Sequence, residues 1–296
     1  MDGFINILKP PGMTSSDAVL TVRRLLPRKT AVGHGGTLDP DAAGVLPVCV
    51  GRATRLFDYI IDKEKVYVGE LFLGASTDTC DASGKVLETK TEIPSADAVK
   101  NVLPAFTGWI DQTPPVFSAL KKGGKKLYEL ARAGEEVEIE ARRVHIHALT
   151  YVCQTAPNRH LIRIHCGKGV YIRSLMRDIG LQLSCPAHMS FLLREQAGAF
   201  DVENGYSIEE IKRPGALQKA ICPMDTLLQA YPRADVKSEY RKRVMCGNPV
   251  KYEWLEKPVE DGGELVRVYV DGEFSGMAEK REGGVYAFKA MLLNGE

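Results

Sequence analysis

The sequence predicts a chain of mixed helices and strands that ends in a small β-barrel. Three observations carry this. Stretches with apolar residues spaced three and four apart alternate with stretches rich in β-branched and aromatic residues. Two of the latter, Arg142 to Cys153 and Leu161 to Cys166, lie close enough to form a hairpin. From about Tyr231 the helical pattern gives way to three short runs between glycine-rich turns, Leu265–Val270, Glu273–Ala278 and Val285–Lys289, a pattern that fits a small barrel. The expected domains are therefore residues 1–230 and 231–296. With 296 residues, 44% of them hydrophobic, the chain can bury a core for one large domain and one small one.

Taken in order, Phe4 to Leu8 is a short apolar strand stopped by the turn Lys9-Pro10-Pro11-Gly12-Met13. Ser15 or Ser16 then caps a helix with Val19, Val22 and Leu25 or Leu26 on one face and Arg23 and Arg24 on the other. Val66 to Leu73 is a strand, followed by a turn-rich loop from Gly74 to Gly84. Ser95 to Phe106 is a helix whose last turn is weakened by Pro104. Lys121, Lys122, Lys125 and Lys126 form a charged turn before a helix, with Phe117 and Tyr128 nearby, a combination suited to RNA phosphates. After the hairpin, the tight turn at Gly169 enters a helix with Ile172, Leu175, Met176, Ile179 and Leu183 on one stripe. Ser207 and Glu210 form a capping box.

The fifteen residues from Gly33 to Pro47 contain four glycines and two prolines. Such a composition argues against a regular helix or a central strand. Leu38, Val45 and Leu46 are nevertheless apolar anchors, and Asp39 is a carboxylate near the centre. The segment reads as a loop pinned to a core, where reactive groups tend to sit.

Gly33-His34-Gly35-Gly36-Thr37-Leu38-Asp39-Pro40, with Ala43-Gly44-Val45-Leu46-Pro47 and Gly51-Arg52-Ala53-Thr54, closely resembles the catalytic loop of the TruB family, the bacterial tRNA pseudouridine-55 synthases. The Lys9–Met13 turn, Lys65-Val66-Tyr67, the stretch from Gly74 to Asp81, Gln112–Lys121, Cys166–Leu175 and Ala187–Arg194 resemble further segments of the same family, so the likeness spans roughly residues 4–225. It implies an α+β pseudouridine synthase fold on a mixed, mostly antiparallel central sheet with the cleft across its middle. It also implies a C-terminal PUA-like RNA-binding domain.

The activity implied is isomerisation of the uridine at position 55 in the tRNA T-loop. By the same resemblance, Asp39 is expected to be the catalytic residue, with the following roles for its neighbours. Tyr67 stacks on the uracil, and Tyr171, Arg173 and Leu192 line the pocket. His34 contacts the RNA and helps hold the target base out of its stack; Lys9, Arg52, Lys121, Lys125 and Lys126 are the RNA-binding cations. Arg173 falls in the first turn of its helix, where the helix dipole disfavours a cation. That placement calls for a partner carboxylate, and Asp39 is the candidate. The rearrangement neither adds nor removes atoms, so no cofactor is expected, in keeping with a sequence without a dinucleotide fingerprint or P-loop. Whether Asp39 attacks ribose C1′, attacks ring C6 or stabilises a glycal stays open, as does the residue that moves the proton.

The tRNA T-stem-loop is the expected partner, without guide RNA or an obligate protein partner, and the protein is expected to be a monomer. A net charge of +1 does not by itself mark a nucleic-acid binder. The reading therefore requires a basic path through Arg23, Arg24, Arg52, Lys121–Lys126, Arg142 and Arg143, with an acidic opposite face. Seven scattered cysteines without a C-x-x-C pair point to a reducing cytoplasm. No secretory signal or membrane span is visible. His145, His147, His160 and His165 invite a metal, but no acidic or thiol partner stands at ligand spacing, so no metal site is expected. Two other readings bear on function. Asp39-Pro40-Asp41 fits the D-x-D of aspartyl phosphotransferases poorly, because Gly35-Gly36-Thr37 precede it instead of an apolar strand. An RNA chaperone without chemistry is the other, separable by substituting Asp39.

Overall fold

The computed structural model describes residues 1–61, 64–118, 120–122, 124–127, 139–259 and 263–292. In chain order its strands are β1 (Gly3–Lys9), β2 (Val32–His34), β3 (Ala43–Val50), β4 (Lys65–Leu73), β5 (Ala75–Thr77), β6 (Val86–Thr89), β7 (Gly108–Gln112), β8 (Lys121–Lys122), β9 (Lys125–Lys126), β10 (Arg142–Ala156), β11 (Arg159–Cys166), β12 (Ala187–Ala197), β13 (Phe200–Asp201), β14 (Tyr206–Ser207), β15 (Arg233–Val236), β16 (Val250–Lys251), β17 (Leu265–Val270), β18 (Glu273–Arg281) and β19 (Val285–Met291). The helices used below are α1 (Ser15–Arg24), α2 (Phe57–Ile61), α3 (Ala96–Val102) and α4 (Ile172–Gln182). None of the helices among the described residues is long and apolar enough to cross a membrane.

The chain divides into two compact units. The first takes Met1–Pro40, Val45–Asp62 and Gly198–Glu296; the second takes Asp41–Gly44 and Lys63–Ala197. Asp39 thus belongs to the first unit and the other expected pocket residues to the second.

In the first unit β1 lies between β3 and β14. It pairs in parallel with β14, Ile7 opposite Tyr206, and Phe4 exchanges backbone hydrogen bonds with Cys222. Phe4, Ile5 and Ile7 are fully buried, as a strand covered on both faces requires. α1 starts one residue earlier than the serines suggest. Thr14 is its cap, in a reciprocal box with Asp17, and this frees Ser15 for another task. The C-terminal sheet runs β15-β17-β18-β19-β16, around a core that includes Val236, Val244, Trp254, Val266, Val268 and Tyr286. The three expected C-terminal strands are present, and two run longer than expected.

In the second unit the order is β12-β4-β11-β10-β7. These four pairings are antiparallel, whereas the first residues of β3 pair in parallel with β12, Ala43 opposite Leu193. The central sheet is therefore mixed and mostly antiparallel. The expected hairpin is β10–β11, extended to Ala156 and begun again at Arg159. The expected 95–106 helix is α3, capped by Ser95, and it tightens to a 3₁₀ turn over Leu103–Phe106, where Pro104 denies the α-helix a donor. The Gly74–Gly84 loop holds an unforeseen strand, β5, paired with β6.

The Gly33–Pro47 stretch is not loop throughout. Its ends are strand: β2 pairs with β3, His34 opposite Val48, and Val45, Leu46 and Pro47 lie inside β3. Proline in an inner strand is unusual because it cannot donate to the ladder. Here Pro47 contributes its carbonyl, accepting from Gly35 N at 2.7 Å. The true loop is the eight residues between the two strands.

Candidate active site

Asp39 sits in this loop, half-buried, and the backbone on both sides of it is clamped. On one side the Ser15 hydroxyl accepts from Leu38 N at 2.9 Å and donates to Leu38 O at 3.0 Å. On the other side Pro40 O accepts from Lys9 Nζ at 2.9 Å and from Gly12 N at 3.0 Å. Leu38 and Ser15 are both buried, so these bonds are shielded from competing water. Gly35 is required by packing, since a Cβ there would meet Ile60 Cγ2 at 2.7 Å. Gly36 has a φ of +114°, which admits the turn that aims the loop. The Lys-Pro-Pro-Gly-Met turn thus holds the Asp39 loop in place.

This corrects the expectation for Lys9. Its side chain is 1% exposed and donates to the carbonyls of Pro10, Met13 and Pro40 at 2.9, 2.6 and 2.9 Å. An ammonium has three donors, and these bonds point them into the protein. Lys9 is a positioning residue for the loop rather than a phosphate contact. Arg52 is likewise committed inside its unit. It pairs with Asp2 at 2.8 Å and donates to Leu292 O at 2.6 Å. Its side chain remains 35% exposed beside Asp2. The Asp2 carboxyl is pushed up by burial, but the Arg52 hydrogen bonds and charge outweigh this and hold it below the usual range. His34 is half-buried in β2. Arg23 and Arg24 are exposed, although Arg23 also donates to Val32 O at 3.1 Å.

In the second unit Tyr67 and Leu192 come together on one face of the sheet. Tyr67 on β4 stands opposite Arg194 on β12, and Gly69 opposite Leu192; residues two apart on a strand share a face. Both side chains are buried. Helix α4 packs onto the same face because Gly69 leaves room, and a Cβ there would meet Met176 at 2.7 Å and Ile172 at 3.3 Å. This packing brings the start of α4 to the Tyr67 face.

Tyr171 caps α4 without a side-chain cap bond. Its backbone is held instead by Gln112, whose amide accepts from Tyr171 N at 2.8 Å and donates to Tyr171 O at 3.1 Å. Arg173 lies in the first turn, as expected, and is 6% exposed. It donates to Thr79 O at 3.1 Å and to Phe117 O at 3.0 Å, and Asp81 Oδ2 is 3.5 Å away. Asp81, from the Gly74–Gly84 loop, is thus a carboxylate beside this cation within its own unit. The residue pattern foresaw Ser15 only as a helix cap and did not foresee the supporting contacts of Ser15, Gln112 and Asp81. Each is an ordinary polar residue whose partner is distant in sequence.

Lys121 pairs with Lys126 and Lys122 with Lys125 in antiparallel register where the charged turn is expected. The four lysine side chains, Tyr128 and the helix expected to follow lie outside the described residues. Arg142 and Arg143 are exposed on β10, and the Arg143 guanidinium lies 5.5 Å from the Trp109 ring centroid.

Of the four histidines, His160 stands apart from the other three. His160 is buried, bonded through Nδ1 to Tyr151 at 3.1 Å, and burial lowers its pKa. His147 and His165 face Glu64, a carboxylate 101 residues from His165 in sequence. The expectation that no acidic group accompanies these histidines is therefore corrected by the fold.

Residues 23–172 match the TruB family pseudouridylate synthase N-terminal domain, and residues 173–229 match the tRNA pseudouridylate synthase B C-terminal domain. The chain is 44% identical over 252 residues to tRNA pseudouridine synthase B of Caldanaerobacter subterraneus subsp. tengcongensis, covering 85% of this chain and 87% of that one. It is 41% identical over 296 residues to the protein of the same name from Clostridium kluyveri, covering 99% of each. Among solved structures, a chain of a Cbf5-Nop10-Gar1 complex superposes with a TM-score of 0.76 at 26% identity, over 99% of this chain and 85% of that one. The family match over half of the sequence, and relatives above 40% identity along nearly all of it, lead to one conclusion: the chain belongs to the TruB family of pseudouridylate synthases.

Proposed function

We propose that this pseudouridine synthase isomerises the uridine at position 55 in the T-loop of tRNA. The observation that carries this reading is the clamp on either side of Asp39, with Ser15 on Leu38 and Lys9 with Gly12 on Pro40. A carboxylate whose neighbours are fixed in this way is preorganised for covalent chemistry or for stabilising charge. The target nucleotide is everted, at a cost of a few kcal/mol of stacking. Asp39 then attacks ribose C1′ or ring C6, or stabilises a glycal, as the glycosidic bond breaks and the bond from C5 forms. Tyr67 stacks on the ring, and Tyr171 and Leu192 wall it. Arg173 lines the same pocket. Substrate and product are isomers, so no cofactor takes part.

His34, Lys121, Lys125 and Lys126 contact the RNA, and residues 231–296 act as a PUA-like RNA-binding domain. Recognition follows the folded shape of the T-loop. The protein works in the cytoplasm as a monomer, without guide RNA or protein partner; its seven unpaired cysteines, two of them exposed, suit a reducing compartment. The test is incubation with unmodified tRNA transcript and with the isolated T-stem-loop, followed by mapping of pseudouridine. The wild type is expected to modify position 55, whereas Asp39→Asn binds RNA and forms no product. Continued isomerisation by Asp39→Asn overturns the assignment, and wild-type binding without product points instead to a chaperone.

A further inference from the structure

Two imidazoles and a carboxylate converge on the exposed side of the second unit. His147 Nε2 lies 3.3 Å from Glu64 Oε1, and His165 Nε2 lies 2.8 Å from Glu64 Oε2. All three ligand atoms fall within 4.8 Å of one another. The fold builds this arrangement from three places. Glu64 leads into β4, which pairs with β11 so that Val66 stands opposite His165. His165 in turn stands opposite Ala148 on β10. The register slips between Ile146 and Ala148, which makes His147 the extra residue of a bulge. A bulge re-aims a side chain, and here the His147 ring comes to 4.6 Å from that of His165.

We propose that Glu64, His147 and His165 bind a divalent transition-metal ion of the zinc class. Two nitrogens and one oxygen form a three-ligand set that leaves a fourth position for water. Imidazole with carboxylate suits zinc, cobalt and nickel. Ligands at 2.0–2.1 Å in a tetrahedron stand ~3.3 Å apart, close to the spacing already present between His147 and Glu64. An ion pair alone uses the site less fully, because each neutral imidazole must place its proton on Nε2 to meet the carboxylate. A metal replaces both of those protons. The side chains of Glu64, His147 and His165 are 59%, 27% and 37% exposed, so an ion enters from solvent without rearrangement. Bound there, it ties the start of β4 to the β10–β11 hairpin.

The test uses the full-length chain, stripped of metal and titrated with Co²⁺. One equivalent is expected, with the visible absorption of four-coordinate cobalt, displaced by Zn²⁺. His147→Ala and His165→Ala each weaken binding tenfold or more, and Glu64→Gln also weakens it. Saturation raises the melting temperature by about 5 °C and leaves pseudouridine formation unchanged. Trp109 reports locally, since its ring lies 4.9 Å from His145, itself 4.4 Å from His147. Its emission is quenched by the ion, and Trp109→Phe loses that response. The proposal is overturned if the wild type takes up no cobalt at stoichiometric concentrations. Uptake that persists in the double histidine variant, or a thiolate charge-transfer band from exposed Cys153 or Cys246, also overturns it. Melting of the metal-free variants at the wild-type temperature shows that the losses are not loss of fold.

Discussion

Lys9 Nζ donates to the carbonyl oxygen of Pro40 at 2.9 Å, one residue beyond Asp39. A buried cation thereby holds the loop that carries Asp39. Lys9→Met deprives the carbonyls of Pro10, Met13 and Pro40 of this donor. We expect a loss of about 3 kcal/mol in stability, with kcat reduced more than RNA affinity. The salt dependence of RNA binding discriminates the roles. Removing a cation that neutralises one phosphate of single-stranded RNA lowers the slope of log K against log salt by about 0.7, whereas removing a loop anchor leaves it unchanged.

The Gln112 amide acts on Tyr171 in the same spirit, satisfying one N–H and one carbonyl at the start of α4. The first N–H groups of a helix have no partner within it. Gln112→Leu should cost about 2 kcal/mol and impair turnover through displacement of Tyr171 and Arg173. Gln112→Glu keeps the acceptor and loses the donor, so it should fall between. Thermal melting and single-turnover rates on T-stem-loop RNA read both effects.

Gly44 has a φ of +105°, and a Cβ there would lie 2.2 Å from Arg194 O. Gly44→Ala should therefore cost more than about 3 kcal/mol, enough to reduce soluble yield. Gly215, with a φ of +75° and open space around it, provides the control. There alanine meets only the left-handed penalty of about 1–2 kcal/mol. Urea midpoints of the two variants make the comparison.

Glu70 accepts from Ser190 Oγ at 2.5 Å, Thr155 Oγ1 at 2.7 Å and Arg159 Nη1 at 2.7 Å. Burial pushes its carboxyl up, but these hydrogen bonds and the Arg159 charge outweigh burial and hold it below the ordinary range. The folded state therefore binds this proton less readily than the unfolded state. The stabilisation is complete above the unfolded pKa of about 4.3 and disappears as pH falls through the lower folded value. Glu70→Gln should be less stable than wild type at pH 7, and the gap should close toward pH 3. Stability measured across that range checks the sign.

Local signals in the sequence locate much of this architecture. The β10–β11 hairpin, α4 and the three C-terminal strands follow from apolar spacing and glycine turns, and the Asp39 loop from its glycines and anchors. What stayed hidden depended on long-range pairing. Thr14 displaced the serines as cap because Asp17 completes the box, leaving Ser15 to hold Leu38. Pro47 sits inside a strand because only its carbonyl is needed there. Lys9 resembled a surface cation until the loop closed over it. Glu64 joined His147 and His165 only through strand register. Except for the local Thr14–Asp17 box, the deciding partner lies well along the chain, where periodicity carries no information.

Strand β1 closes on residues near the other end of the chain, Ile7 on Tyr206 and Phe4 on Cys222. The anchorage of the first unit therefore waits for vectorial synthesis to reach that region. At roughly 5–20 residues per second, the ~200 intervening residues take ~10–40 s to emerge from the ribosome. A polypeptide released before then carries Asp39 but lacks the partners that complete the sheet around β1.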